Sequence, residues 1–298
     1  MLFGELKKSQ LEKIRKFRLP KDPVENEAVL KKGKGFNNVF LGCAKWGRKE
    51  WIGKIYPLGT KEKDFVQNYG QHYDSIELNA TNYKLYGRNI LKGWAEKVNN
   101  PKFRFCPKAH RGMSFLRDTP AKQGLTTVFI ANIMGFGENL GPIFITHSDR
   151  VKWDKHGEED FFKYLETLPR ELTFFIEERW VGFFRDKELM ERYYSKLREL
   201  NIGTVITDTA GRQDALHMHL TIPKAFIRFV GNSLHHSDYS RVNNWAIRIK
   251  TWIDSGIEDV YFFLHMHGDR KFPELTQYVV ERFNKKCKLN IPLVKFAK

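Results

Sequence analysis

The sequence predicts a single closed (β/α)8 barrel of the TIM type with a basic N-terminal extension. Three observations lead there. Beyond residue 37, short β-rich runs alternate with amphipathic helical stretches, and eight such runs recur before residue 266. Six of the eight end on ionisable side chains, the pattern of barrel strands whose C-terminal ends carry a working mouth. A length of 298 residues, with 41% apolar and 29% charged side chains, suits one water-soluble barrel with a substantial core.

The extension, residues 1–37, is basic and broken by proline and glycine: Lys7-Lys8, Arg15-Lys16, Pro20, Pro23, then Lys31-Lys32-Gly33-Lys34-Gly35. A short helix over Gln10–Phe17 and a following linker are expected. The segment reads either as an arm for a polyanion or as a helix closing the bottom of the barrel. The barrel domain proper spans 38–298. Its strands are expected at Val39–Cys43, Ser75–Asn79, Phe103–Lys108, Ile143–Thr146, Thr173–Glu177, Thr204–Asp208, Ala225–Val230 and Val260–His265. Such short, mostly apolar runs suit strands buried on both faces. Amphipathic stretches at Arg88–Val98, Glu158–Leu168, Lys187–Leu200, Arg241–Ser255 and Pro273–Cys287 supply the helical crossovers of a parallel sheet. An open doubly wound sheet is the competing architecture, and no Gly-rich phosphate fingerprint follows the first run to support it.

Strand ends then nominate the site. Alternation puts Glu77 and Asn79 on one face of the second run, and Glu177 with Arg179 on one face of the fifth. Lys108 ends the third, followed by His110-Arg111; Asp208 ends the sixth; Arg228 stands between Ile227 and Phe229 in the seventh; His265 ends the eighth. Ionised groups are costly to bury unpaired, so a ring of them at one mouth points to function. Glu77, Glu177 and Asp208 are the candidate acids and bases, and Trp46, Trp51, Asn79, Lys108, Arg111, Arg179, Arg228 and His265 the candidate ligand contacts. The bland reading of each is an ion pair or a helix cap. On the functional reading, Glu77→Gln removes activity and leaves stability nearly unchanged.

His217-Met218-His219 and His265-Met266-His267 share an H-x-H spacing that aims two imidazoles the same way, so a divalent metal such as zinc or manganese is a further expectation. No other cofactor is indicated. Cys43, Cys106 and Cys287 are odd in number and widely spaced, which reads as free thiols in a reducing cytoplasm. No apolar run approaches the length of a membrane span, and none near Met1 suits a signal peptide. A formal charge of +16 favours polyanionic partners, although surface lysines kept for solubility explain it equally well.

Leu41-Gly42-Cys43-Ala44-Lys45-Trp46, Trp51 and Tyr56-Pro57 resemble the opening of the YecE-like family, a domain of unknown function. Ser75-Ile76-Glu77-Leu78-Asn79-Ala80-Thr81-Asn82-Tyr83, Trp94, Phe103–Lys108, Leu140-Gly141-Pro142, Glu177-Glu178-Arg179, Asp208, Phe226–Gly231 and Phe263-Leu264-His265 follow in the family's order. The resemblance, over about residues 39–290, implies an eight-stranded barrel and no settled activity. It also implies that Trp46, Glu77, Asn79, Lys108, Glu177, Arg179, Asp208 and Arg228 line the mouth. Two loops depart from the family pattern: Gly112-Met113-Ser114-Phe115 stands near an Ile-Thr-His, and Thr146-His147-Ser148-Asp149 near a Gln-Leu-Pro-Pro.

Three functional classes stay open. One is a protein that binds or cleaves a phosphate-bearing ligand, nucleic acid foremost, as a phosphodiesterase or endonuclease would. The second is a sugar or sugar-phosphate isomerase or hydrolase using paired carboxylates. The third is a barrel that only binds a partner.

Overall fold

Apolar β-branched and aromatic residues set the strands, and the parity of each strand sets what faces inward. In the computed structural model, which describes Phe3, Gly4, Leu6, Gln10, residues 18–266 and residues 269–297, eight strands run in parallel. In chain order the elements are α1 (Glu25–Leu30), β1 (Asn38–Cys43), α2 (Phe65–Tyr69), β2 (Ser75–Leu78), α3 (Arg88–Val98), β3 (Arg104–Pro107), α4 (Pro120–Ile133) and β4 (Ile143–Thr146). Then follow α5 (Lys155–Glu166), β5 (Phe174–Glu177), α6 (Lys187–Glu199), β6 (Gly203–Asp208), β7 (Lys224–Gly231), α7 (His236–Ser255), β8 (Asp259–Met266) and α8 (Phe272–Cys287). The sheet order is β3-β2-β1-β8-β7-β6-β5-β4. Single bridges at Lys108↔Phe144 and Phe105↔Leu140 bring β3 alongside β4 and nearly close the barrel.

Every expected strand is present within two residues of its predicted bounds. Helix α4 had no distinct sequence signal, because its apolar residues are not confined to one stripe: Phe129 and Ile133 are buried while Val128 is half exposed. Thr119 caps it, accepting from the Lys122 amide.

The inward-facing residues form two layers. Phe144, Phe175, Phe226, Phe263, Val205 and Cys106 fill the middle of the barrel with apolar volume. One pleat nearer the strand C-termini, the inward positions are Glu77, Lys108, Glu177, Thr207, Arg228 and His265. Aromatic rings therefore floor a polar mouth and keep water from passing through the barrel. Outward residues such as Ile76, Ile145, Ile176, Ile206 and Leu264 pack against the helices. Among the described residues no helix is long and apolar enough to cross a membrane.

The β6–β7 connection, residues 209–223, contains a short 3-10 turn (Gln213–Ala215) and no α-helix. Helix α1 docks there instead. Asn26 is buried, donating to the Met218 carbonyl at 2.8 Å and accepting from the Leu220 amide at 2.8 Å. Asp22 accepts from Arg248 and from Trp252 Nε1 on α7. Residues 22–30 thus lie against the barrel wall, and the chain before β1 is not wholly a free arm. The helix expected over 10–17 lies outside the described residues apart from Gln10. Asn26→Ala is expected to cost about 1–3 kcal/mol, because it strands two buried backbone groups. A urea-unfolding midpoint equal to wild type would show that α1 does not fold with the barrel.

Candidate functional site

The polar layer is built around one guanidinium. Arg228 on β7 is buried, and its Nε and Nη2 donate to the two Glu77 oxygens at 2.9 and 2.8 Å. Its Nη1 donates to Glu177 Oε1 at 2.6 Å, so one arginine bridges β2 and β5 across the barrel. Glu77 also accepts from Asn79 at 2.7 Å and from His265 Nε2 at 2.8 Å. Glu177 also accepts from the Thr207 hydroxyl at 2.6 Å and from Arg179 at 2.7 Å. Both carboxylates are fully buried and every oxygen is engaged.

The electrostatics follow from that geometry. Burial alone would raise Glu77, but the Arg228 charge and His265 outweigh it and hold its carboxyl well below the usual range. Glu177 is likewise raised by burial and lowered more by Arg179, Arg228 and Lys108. His265 is lowered by burial, against the pull of Glu77. Lys108 is brought down to about 8 by burial and by the like charges of Arg228 and Arg179. The Lys108 ammonium makes no hydrogen bond or ion pair among the described residues and lies 5.8 Å from the centroid of the Phe144 ring.

Above this layer opens a cavity of about 670 Å³, lined by Ala44, Lys45, Arg48, Asn79, Tyr83, Lys108, Ser148, Asp149, Arg179, Arg228, His265 and Phe3. Phe3 lies between two guanidiniums, 4.7 Å from Arg179 and 4.8 Å from Arg212. Thr209 donates to the Phe3 and Gly4 carbonyls at 3.2 and 3.1 Å, which ties this segment to the end of β6. Tyr83 is 71% exposed at the rim.

The mouth gathers Glu77, Asn79, Lys108, Glu177, Arg179, Arg228 and His265. Other nominated residues lie elsewhere. Asp208 faces the helix layer, because parity puts Thr207 inward and Asp208 outward. There it is buried, accepting from Arg241 at 2.7 Å and from Trp245 Nε1 at 2.8 Å. Trp51 is fully buried in an aromatic cluster, with Tyr56 and Phe272 at 5.6 Å and Tyr73 at 6.0 Å, so it has no free face for a base. Trp46 is half-buried, edge-on to Trp94 at 5.0 Å, and does not line the cavity. Arg111 is exposed in the turn Arg111–Met113 and is likewise absent from the lining.

Of the two H-x-H pairs, His265 reaches Glu77, whereas His217 and His219 lie away from the carboxylates. His217 Nε2 donates to the Val205 carbonyl at 3.0 Å, and His219 stacks on Tyr194 at 3.9 Å, both in the β6–β7 connection. Burial and the neighbouring His219 take His217 down to about 3, and burial with Arg198 takes His219 to about 4. His267 lies outside the described residues. Among the described residues no group of three His, Cys, Asp or Glu side chains is arranged to hold a metal ion. Cys43 and Cys106 are buried and their thiols pushed up by burial, so neither presents a thiolate.

Several site residues had no sequence nomination: Phe3, Lys45, Arg48, Tyr83 and Thr207. Thr207 shares the parity of Val205, but no contrast in the sequence marks that face of β6 as the interior. In the 146–149 loop, Ser148 and Asp149 line the cavity, whereas His147 points outward and pairs with buried Glu178, which also accepts from Trp153 Nε1 at 3.2 Å.

The family model described as "Protein of unknown function DUF72" matches residues 40–294. The UPF0759 protein YecE of Escherichia coli K12 is 22% identical over 265 residues, covering 83% of this chain and 93% of that protein. A crystal structure of a DUF72 family protein from Enterococcus faecalis superposes with a TM-score of 0.67 at 13% identity, covering 87% of this chain and 98% of the other. One from Thermotoga maritima gives 0.59 at 17% identity, covering 85% and 100%. At such identities the structural likeness establishes the fold, a TIM-like barrel. With the family match spanning most of its length, this chain belongs to the DUF72 family of proteins of unknown function.

Proposed function

We propose that the barrel mouth binds a phosphate-bearing ligand, and that nucleic acid is the ligand class to test first. One observation carries the reading: the described residues of the mouth include more cations than carboxylates. Lys45, Arg48, Lys108, Arg179 and Arg228 line it, against Asp149 on the lining and Glu77 and Glu177 beneath, so among the described residues five cations meet three carboxylates. The Lys108 ammonium has no hydrogen-bond or ion-pair partner among the described residues. Partly desolvated cations of this kind attract phosphate oxygens more strongly than surface lysines do. The exposed Tyr83 ring at the rim offers a face for an unpaired base. A formal +16 over the chain supports the same choice of partner.

The paired-carboxylate reading loses support. Glycoside chemistry needs one carboxyl that holds a proton. Burial opposed by stronger positive charge keeps both Glu77 and Glu177 ionised, and seven donors occupy their oxygens. Their task here is to hold Arg228, Arg179 and His265 in place.

A fluorescence-anisotropy titration with a labelled single-stranded oligonucleotide tests the reading. If about four to six phosphates are contacted, the double-logarithmic salt plot slopes at roughly −3 to −4. Lys108 faces Arg228 from β7, Arg179 after β5 and the carboxylates Glu177 and Glu77, and it is cationic only below about 8. Affinity is therefore expected to fall as pH rises through that value. Tyr83→Ala is expected to weaken binding with little change in the salt slope. No saturable binding at about 50 mM salt, where phosphate contacts are strong, would sink the nucleic-acid reading.

A further inference from the structure

The geometry points to a carbonyl-reactive amine: we propose that Lys108 condenses with the aldehyde or ketone of a phosphorylated ligand to form an imine at the barrel mouth. This deepens the phosphate-ligand reading and rests on it, since the mouth cations would hold the phosphate. Three features select Lys108. Its side chain lines the cavity, above the Phe144 ring at 5.8 Å. Its ammonium makes no hydrogen bond or ion pair among the described residues, because the nearby carboxylates Glu77 and Glu177 are taken by Arg228, Arg179, His265, Asn79 and Thr207. Its charged form is disfavoured by burial and by two guanidiniums, which brings it to about 8 and leaves roughly a tenth as free amine at neutral pH.

Lys122 shows why position and not basicity makes the choice. It too is brought to about 8, by burial, yet its ammonium donates to the Phe115 carbonyl at 2.7 Å and sits 3.5 Å from the Tyr164 ring centroid. Lys122 is buried and committed; Lys108 opens on the cavity and is not.

The step is balanced without a co-reactant. The Lys108 nitrogen pair attacks the carbonyl carbon, the C=O π pair moves to oxygen, and a proton passes from nitrogen to that oxygen. The carbinolamine then loses water and a C=N bond forms. An aldehyde beside a phosphate can come from a free sugar phosphate or from the ring-opened sugar of an abasic nucleotide, and the test separates these sources.

The full chain is incubated near neutral pH with glyceraldehyde 3-phosphate, with glyceraldehyde, or with an oligonucleotide carrying one abasic site, each with and without sodium borohydride. Borohydride delivers hydride to the imine carbon and fixes the adduct as a secondary amine, which intact-mass and peptide mass spectrometry locate. One borohydride-dependent adduct is expected, on Lys108, with the Lys122 peptide unmodified. Glyceraldehyde 3-phosphate is expected to label at least about tenfold better than glyceraldehyde at equal concentration. Lys108→Arg is expected to abolish the adduct; mapping on the wild-type chain decides the matter even if that variant folds poorly. Labelling of the abasic oligonucleotide above glyceraldehyde 3-phosphate assigns the source as nucleic acid, and the reverse order assigns a sugar phosphate. Adducts scattered over surface lysines, or Lys108 unlabelled by every probe, overturn the proposal. Equal labelling by glyceraldehyde and its phosphate overturns the phosphorylated ligand class while leaving the amine reactive. A parallel titration with inorganic phosphate reports on the anion site without any carbonyl, so failure of that reading is seen separately.

Discussion

Glu77→Gln is expected to lower the unfolding free energy by about 3–5 kcal/mol, the range for breaking a buried ion pair by removing one partner. Four donors converge on this carboxylate, two from Arg228 and one each from His265 and Asn79. A neutral amide satisfies them incompletely and leaves Arg228 with Glu177 as its remaining carboxylate. This reverses the expectation drawn from sequence, that the change would spare stability. The pH dependence gives a second check. The native carboxyl is held below its usual range, because Arg228 and His265 outweigh the effect of burial. Its contribution is therefore present above the unfolded value of about 4.3 and is lost as pH falls towards the native one. Urea unfolding at neutral pH should show the full deficit, and the gap between wild type and variant should narrow below about pH 4. A variant as stable as wild type at neutral pH would mean that the Arg228 bridge contributes nothing to the fold.

Asp208→Ala is expected to cost a similar 3–5 kcal/mol, for a different reason and with a different functional result. Arg241 is fully buried between α7 and the sheet, and Asp208 is the carboxylate that takes its Nε and Nη2. Deleting it leaves a guanidinium with the Val230 and Asp208 carbonyls and a more distant Asp238 at 3.5 Å. Trp245 Nε1 loses its acceptor as well. Since Asp208 does not reach the cavity, oligonucleotide affinity of the folded protein should stay within about twofold of wild type. Glu77→Gln, in contrast, frees Arg228 and His265 to move in the mouth and should change affinity along with stability. Binding measured well below each variant's unfolding transition separates the two. Loss of binding in Asp208→Ala at full folding would return Asp208 to the site.

The two mutations mark where reading the sequence succeeded and where it could not. Alternation paired Glu77 with Asn79 and Glu177 with Arg179, and both pairs meet at 2.7 Å although Asn79 and Arg179 lie just past the ends of β2 and β5. It could not say which face was the inside. For β2 and β5 the charged face is the interior; for β6 the interior face holds Val205 and Thr207, and the acid at the strand end points away. In a strand buried on both faces no hydrophobic contrast breaks that tie. The same limit hid the partner of His147: Glu178 lies outward just past the end of β5, next to Glu177, which lies inward.

What the sequence by itself determined is the barrel, its strand positions and the identity of most of the buried polar layer beneath the mouth. Eight short apolar runs with helical crossovers admit few architectures, and ionisable groups at run ends are too costly to bury without purpose. Only the tertiary structure decided which carboxylates are spent on internal pairing and that the Lys108 ammonium has no hydrogen-bond or ion-pair partner among the described residues. That outcome depends on distances across the barrel, between residues as far apart in sequence as Glu77 and Arg228 at 2.8 Å. It likewise decided that Trp51 is core and that Phe3 lies at the mouth, packed on Arg179 and Arg212. Local pattern carries the period of a side chain, whereas pairing and exposure are set by what the closed barrel brings opposite it.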